Sequence, residues 1–333
     1  MGEMKHRVLA ALLFSVVLVG PLAWTTDSWG QAKRARVGIL TLDQSLTGDK
    51  ANEWWEPFRR TLRSQGWIEG QNVSFEFRTA PGEPPRFAEA ADELVRLNVD
   101  VIWATNAPMV RVSYARTRSI PIVAVDLTTD PVAEGYVESY GRPGRNLTGI
   151  FLDAPGFAGK WFELLRALIP RISRVVVLWD PTPGATHLRA VQRVARSIGV
   201  RLQVVEVRKP DDIDRAFSEL HGHPRALIIL PSPMIYFQNE RLAKLALKHR
   251  LPAISIFPRF AEAGGVIAFG PSIASVYESS AVLVAKVLGG AKPGLIPVEG
   301  PSKFELVVNL KTAKALGLTI PEAVLVRADK VIR

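Results

Sequence analysis

The chain has no cysteine. That excludes structural disulfides and thiolate chemistry. It also excludes the lipid-modified N-terminal cysteine of a conventional bacterial lipoprotein. No Gly-x-Gly-x-x-Gly follows the first strand-like segment, no acidic residue stands at the ribose spacing after it, and no Gly-Lys-Ser/Thr occurs, so no nucleotide cofactor is expected. Histidine is scarce: His6, His187, His221, His223 and His249 are the full set. None is spaced with an acid and a nucleophile for catalysis, and none belongs to a metal-ligand pattern, so neither a metal site nor an enzyme is expected. The formal charge is +10, yet the only basic cluster is the short Lys33–Arg36 stretch and the other bases are scattered among acids. With no zinc-finger or RNP-type pattern, nucleic acid is not an expected partner.

Long apolar runs are also missing, except for one at the start. Lys5, His6 and Arg7 precede the uncharged run Val8–Trp24, and a small-residue site, Ser28-Trp29-Gly30, follows. This is the order of a secretory signal peptide over residues 1–30. A retained anchor is the alternative, although the run is slightly short for a span. The expected mature protein is exported, periplasmic, and without stable membrane insertion.

The 333 residues are enough for two domains of about 150 each. The segment Tyr140–Ile150 (YGRPGRNLTGI) divides them, and its Gly/Pro content followed by apolar Leu147 and Ile150 reads as a crossover. Before it, apolar strand-like runs (RVGILT at 36–41, QNVSFEFR at 71–78, DVIWA at 100–104, IPIVAV at 120–125) alternate with helical patterns. After it the series repeats: RVVVLW at 174–179, Leu202–Val207, RALIIL at 225–230 and LPAISI at 251–256. Arg36 and Arg174 open the two series 138 positions apart. Strands alternating with helices imply βαβ units and mostly parallel sheets. The expected fold is α/β with two similar lobes and three interlobe crossings. Residues 35–147 with about 271–295 form the first lobe, and 148–268 with about 300–333 the second. Crossings are expected near Leu147–Phe151, Ile267–Pro271 and Leu295–Pro301, where Gly149, Gly265 and Gly270 permit close passage.

Five stretches carry a family resemblance: LRSQGWIEGQNVSFEFR (62–78), GRPGRNLTG (141–149), RVVVLWDP (174–181), FAEAGGVIAFGP (260–271) and KFELVVNLKTAKALGLTIP (303–321). Over nearly all of 35–331 the chain resembles the exported substrate-binding proteins of ABC transporters related to the tryptophan/tyrosine-binding kind. The resemblance implies the type I periplasmic binding fold, a small-molecule solute, and an ABC permease as membrane partner. It does not settle the ligand.

In parallel sheets ligands sit beyond the carboxyl ends of strands. That rule gathers the loops at Leu42–Thr47, Thr105–Pro108, Asp126–Pro131, Asp180–Thr186, Pro231–Tyr236 and Phe257–Arg259 around one cleft. Thr105, Asn106 and Ala107 are candidates to receive a carboxylate at a helix start, with simple helix capping as the alternative. Asp126 is a candidate partner for an ammonium, while Asp130, before Pro131, is the better cap. Asp180 matches Asp126 in the second lobe, with an Asp-Pro turn as the alternative. Asp43 and Ser232 are further polar candidates, and Tyr236, Phe237 and Phe257 a candidate aromatic wall. Trp103 and Trp179 read mainly as core. The expected function is capture of a carboxylate-bearing solute, such as an aromatic or branched amino acid, by lobe closure. A receptor-facing sensor and a two-lobed racemase or lyase are the alternatives.

Overall fold

The computed structural model describes residues 34–42, 52–79, 84–221 and 225–333. The expected signal peptide and Asp43 lie outside the described residues. The first half contributes strands β1 (Ala35–Thr41), β2 (Val73–Thr79), β3 (Val101–Thr105), β4 (Ile122–Asp126) and β5 (Leu147–Phe151). Helices α1 (Asn52–Ser64), α2 (Pro84–Arg96) and α3 (Ala107–Arg116) connect the first four. The second half contributes α4 (Ala154–Leu168), β6 (Arg174–Trp179), α5 (Thr186–Ser197), β7 (Arg201–Glu206), α6 (Asp212–Ser218) and β8 (Ala226–Ile229). It continues with α7 (Pro233–Tyr236), α8 (Asn239–Lys248), β9 (Ala253–Ser255), α9 (Pro258–Glu262) and β10 (Ile267–Pro271). Then come α10 (Ile273–Leu288), β11 (Phe304–Asn309), α11 (Leu310–Ala315), α12 (Glu322–Leu325) and β12 (Lys330–Ile332).

The strands form two sheets, in the order β2-β1-β3-β4-β5 and β12-β11-β10-β9-β8-β6-β7. Read from β7 to β10, the second sheet repeats the first strand for strand, 7-6-8-9-10 against 2-1-3-4-5, and adds two strands at its far edge. Val37 pairs with Val101, and its counterpart Val175 with Ala226, so even the register repeats. Every pair is parallel except β10 with β11. The strands β1, β3, β4 and β5 are buried almost throughout because helices cover both faces of a parallel sheet. On one face of the first sheet Trp55 stacks on Phe58 with ring centres 5.0 Å apart, and Phe58 on Trp103 at 4.2 Å. Trp103 is fully buried, and its indole N–H donates to Ser280 Oγ of α10 at 3.1 Å.

That last bond shows where the chain returns. It leaves the first sheet after β5 and enters α4, whose Phe157, Trp161 and Leu165 join the core of the second sheet. After β10 it comes back as α10, whose Val276, Leu283 and Val284 pack with Trp55 and Phe58. A 3-10 turn at Pro293–Leu295 follows. The chain then runs beside β5: Phe151 N donates to Glu299 O at 2.9 Å, Glu299 N to Gly149 O at 3.0 Å, and Thr148 Oγ1 to Ile296 O at 2.9 Å. From there it crosses to β11. Strand β5, which the expected boundary at 147/148 divides, pairs with β4 along its whole length.

The glycines of β5 and β10 have a steric cause. A Cβ on Gly149 would lie 2.2 Å from Ala124 O, and one on Gly270 would lie 1.8 Å from Ile256 O. Each is pressed against the strand that precedes it in its sheet, or against the residue just after that strand.

Candidate functional site

The carboxyl ends of the two sheets face one cleft, a cavity of about 150 Å³. Thr41 ends β1 and Leu42 follows it; Thr105 ends β3 and Asn106 follows it; Val125 lies near the end of β4, with Leu127 and Thr128 just after it. Across from them stand Pro231, Ser232, Pro233, Tyr236 and Phe237 from the loop after β8 and α7, with Phe257 after β9. Ile273 and Tyr277, one helical turn apart at the start of α10, complete the lining. The lining side chains among the described residues are uncharged: hydroxyls, one amide, aliphatics and rings.

Asn106 holds an unusual backbone, φ 81° and ψ 156°. A non-glycine residue there is strained, and the surrounding bonds fix it. Its N–H donates to Val125 O at 2.6 Å, its carbonyl accepts from Val110 N at 3.0 Å, and its Oδ1 accepts from Met109 N at 3.3 Å. With Pro108 lacking an N–H and Met109 capped, Ala107 supplies the one first-turn amide of α3 that capping does not consume. Ala107 itself is buried behind the lining. Ser232 plays the same part for α7, its Oγ accepting from Ile235 N at 3.0 Å.

The two halves of the lining differ in chemistry. The first-sheet side carries four polar side chains, Thr41, Thr105, Asn106 and Thr128, among Leu42, Val125 and Leu127, and α10 adds Ile273 and Tyr277, whose ring packs on Trp103 at 5.0 Å. The second-sheet side is aromatic: Tyr236 packs edge-on against Phe237 at 5.3 Å and against Phe257 at 5.0 Å. Phe237 is 57% exposed and stands at the rim.

The structure gathers Thr105, Asn106, Ser232, Tyr236, Phe237 and Phe257 around the cavity. It places Asp126 and Asp180 elsewhere. Asp126 is fully buried beneath the lining. Its Oδ1 accepts from Thr128 N and Thr128 Oγ1, both at 2.8 Å, and from Thr129 N at 3.2 Å; its Oδ2 accepts from Thr129 Oγ1 at 2.6 Å. Asp180 is 2% exposed and accepts from Thr182 N at 2.9 Å, an Asp-Pro turn. Asp130 accepts from Val132 N at 2.9 Å and Ala133 N at 3.2 Å, which tightens its own turn. Trp179 is half-buried and donates to Gly184 O at 3.1 Å. Ile273 and Tyr277 were not picked out by sequence reasoning, whereas Leu127 and Thr128 lie in the expected cleft loop Asp126–Pro131 without having been named. The signal for the first two was available: β10 runs parallel to β9, so its carboxyl end, and the helix start after it, must also face the cleft.

Buried beside this site is His187, 5% exposed, on α5. Its Nε2 lies 2.7 Å from Leu127 O. Burial pushes its pKa below the ordinary value, against the opposing effects of the Leu127 carbonyl and the Asp126 charge. No group of metal-ligating side chains occurs among the described residues. No helix among them is long and apolar enough to cross a membrane.

The chain matches the family model described as ABC transporter substrate binding protein over residues 40–332. It is 26% identical over 297 residues to a tyrosine-binding protein of Clostridioides difficile, covering 88% of this chain and 83% of that one. Among solved structures, a conserved domain protein of Vibrio cholerae superposes with a TM-score of 0.81 at 26% identity, over 90% of this chain and all of that one. An ABC domain from Streptococcus pneumonia in complex with L-Trp gives the same TM-score and coverage at 22% identity. The chain belongs to the ABC transporter substrate-binding family, a family of binding proteins and not of enzymes.

Proposed function

We propose that this member of the family is exported and captures an aromatic amino acid, or a closely related aromatic carboxylate, for an ABC permease. The observation that carries the reading is the division of the cleft. The polar side chains of the first-sheet side, Thr41, Thr105, Asn106 and Thr128, with the positive end of the α3 dipole behind Asn106, suit a carboxylate. A wall of Tyr236, Phe237 and Phe257 suits a ring. The solute therefore lies across the cleft, with its carboxylate toward Asn106 and its ring toward Phe257. The C. difficile relative, named for tyrosine, and the structure holding L-Trp agree with this class of solute. Since the Asp126 carboxylate is taken up by its own loop, the ammonium of an amino acid meets the hydroxyls of the cleft rather than that charge.

Isothermal titration of the ligand-free protein beginning at Gln31 tests the reading. The panel is L-tryptophan, L-tyrosine, L-phenylalanine, the branched amino acids, and the same aromatic acids without the amino group. Binding of at least one aromatic carboxylate is expected, with aromatic members ahead of branched ones. A panel in which no aromatic carboxylate binds removes this class of solute.

A further inference from the structure

We propose that His187 is a positioning residue of the cleft, acting through the loop Asp126–Thr129 to hold the two lobes closed. The inference rests on the reading that this cleft is where the solute binds. His187 stands at the second position of α5, between two strands of the seven-stranded sheet. Leu127 directly follows β4 of the five-stranded sheet. The 2.7 Å bond from His187 Nε2 to Leu127 O therefore joins the two lobes. A carbonyl oxygen only accepts, so the imidazole donates, which fixes the tautomer with its proton on Nε2.

The loop that receives this bond does three things at once. The Leu127 side chain packs against the core cluster of the second sheet, which includes Trp161 and Leu188. Leu127 and Thr128 also form part of the cleft wall. Asp126 holds both in place through its four bonds to Thr128 and Thr129. Parting the sheets at this point breaks the histidine bond, withdraws Leu127 from an apolar core, and displaces the wall a solute would touch. A ligand that stabilises the wall stabilises the bond, and by linkage the bond raises affinity for the ligand. Of the groups facing the imidazole, the Trp161 ring is neutral and packs with its centre 6.3 Å away, and Asp126 carries the nearby charge.

The test uses two substitutions and a distance. His187→Leu keeps an apolar side chain and removes the donor. His187→Gln keeps an N–H able to reach the same carbonyl. Because the chain has no cysteine of its own, cysteines introduced at Glu89 on α2 and Lys244 on α8, both exposed, carry spin labels at those two points alone. Pulsed electron resonance then reads the separation of the lobes without ligand. His187→Leu is expected to shift and broaden the distance distribution, and to weaken L-tryptophan binding about tenfold, as loss of one buried hydrogen bond would. His187→Gln is expected to restore both. A His187→Leu distribution matching that of the parent overturns the proposal, even if the melting temperature falls, since that would be a purely structural role. Failure of L-tryptophan to bind the parent bears on the solute class, and the distance measurement still decides the role of His187.

Discussion

Substitution of Asp126 separates two roles for a carboxylate at the end of a strand. A side chain reaching into a cleft is dispensable for folding. One that holds a loop together is not. In the structure Asp126 is fully buried and accepts four hydrogen bonds. Asp126→Ala leaves the N–H and the hydroxyl of Thr129, itself 1% exposed, without an acceptor. Each such buried donor costs about 1–3 kcal/mol, while the half-buried Thr128 can turn to water. The expected loss is roughly 2–6 kcal/mol, a fall in melting temperature on the order of 10 °C for a protein of this size. Asp126→Asn keeps an acceptor for Thr128 and can donate to Thr129 Oγ1, so its loss should be under half as large. Urea and thermal unfolding measure both. Since Leu127 and Thr128 line the cleft, affinity should fall together with stability. Loss of binding at an unchanged melting temperature would refute this reasoning and give the carboxylate to the ligand.

Gly270→Ala places a Cβ 1.8 Å from Ile256 O; a backbone neighbour cannot step aside, so a loss of about 3 kcal/mol or more is expected in urea unfolding. Phe257→Ala should weaken an aromatic solute roughly 10- to 100-fold by calorimetry, while leaving branched amino acids less affected. His187 has a folded pKa below its unfolded value, so the unfolded chain binds the extra proton; stability from this group is complete above pH 6.5 and lost as pH falls below it, a slope that His187→Gln should remove. The Tyr136 phenol is pushed up from 10.0 to about 12, chiefly by burial; the unfolded chain ionises first, so stability is lost between those two values as pH rises, and Tyr136→Phe should flatten that limb of the pH–stability curve.

The repeat was legible in the sequence because strands buried on both faces read as continuous apolar runs. RVGILT and RVVVLW, or DVIWA and RALIIL, are alike because they occupy equivalent places in two sheets. Less legible was the role of two glycines. The glycines at 149 and 270 were expected to permit close passage at the crossings, and the structure shows both inside paired strands, small because a neighbouring carbonyl passes where a Cβ would be. The break between α7, which ends at Tyr236, and α8, which begins at Asn239, was not legible either; Tyr236 and Phe237 line the cleft there. Of the loops the rule of strand ends gathered, Asp180–Thr186 contributes nothing to the cavity, and the others bring Thr105, Asn106, Ser232, Tyr236 and Phe257 to it, with Phe237 beside them. The rule gives no side-chain direction. An aspartate after an apolar strand has the same sequence whether it reaches for a solute or folds back onto the next two amides, and Asp126 and Asp180 fold back.

The repeat also explains how one architecture yields a cleft with two unlike walls. After the third strand of each lobe comes a polar cap followed by proline, Asn106-Ala107-Pro108 and Ser232-Pro233, and each cap spends its side chain on the amide three residues ahead. To that point the lobes are chemically matched. They diverge one strand later. In the first lobe the residues after β4 are Leu127, Thr128 and Thr129, drawn tight by Asp126; in the second the residue after Ile256 is Phe257, resting on Tyr236. A symmetric cleft would hold a solute equally well in either direction. Here Thr41, Thr105, Asn106 and Thr128 stand on one side and Tyr236, Phe237 and Phe257 on the other, which favours a single orientation, because reversing a ring-bearing carboxylate would set its charge against the three rings, and burying the charge without donors is the larger cost. Exchanging the walls' chemistry at one point therefore has a definite consequence under the proposed function: Phe257→Thr should erode the preference for aromatic over branched solutes, while Thr105→Val, which removes a cleft-lining hydroxyl from the opposite side, should weaken all carboxylates about equally. A calorimetric panel in which both substitutions produced the same pattern would remove the orientation from the argument.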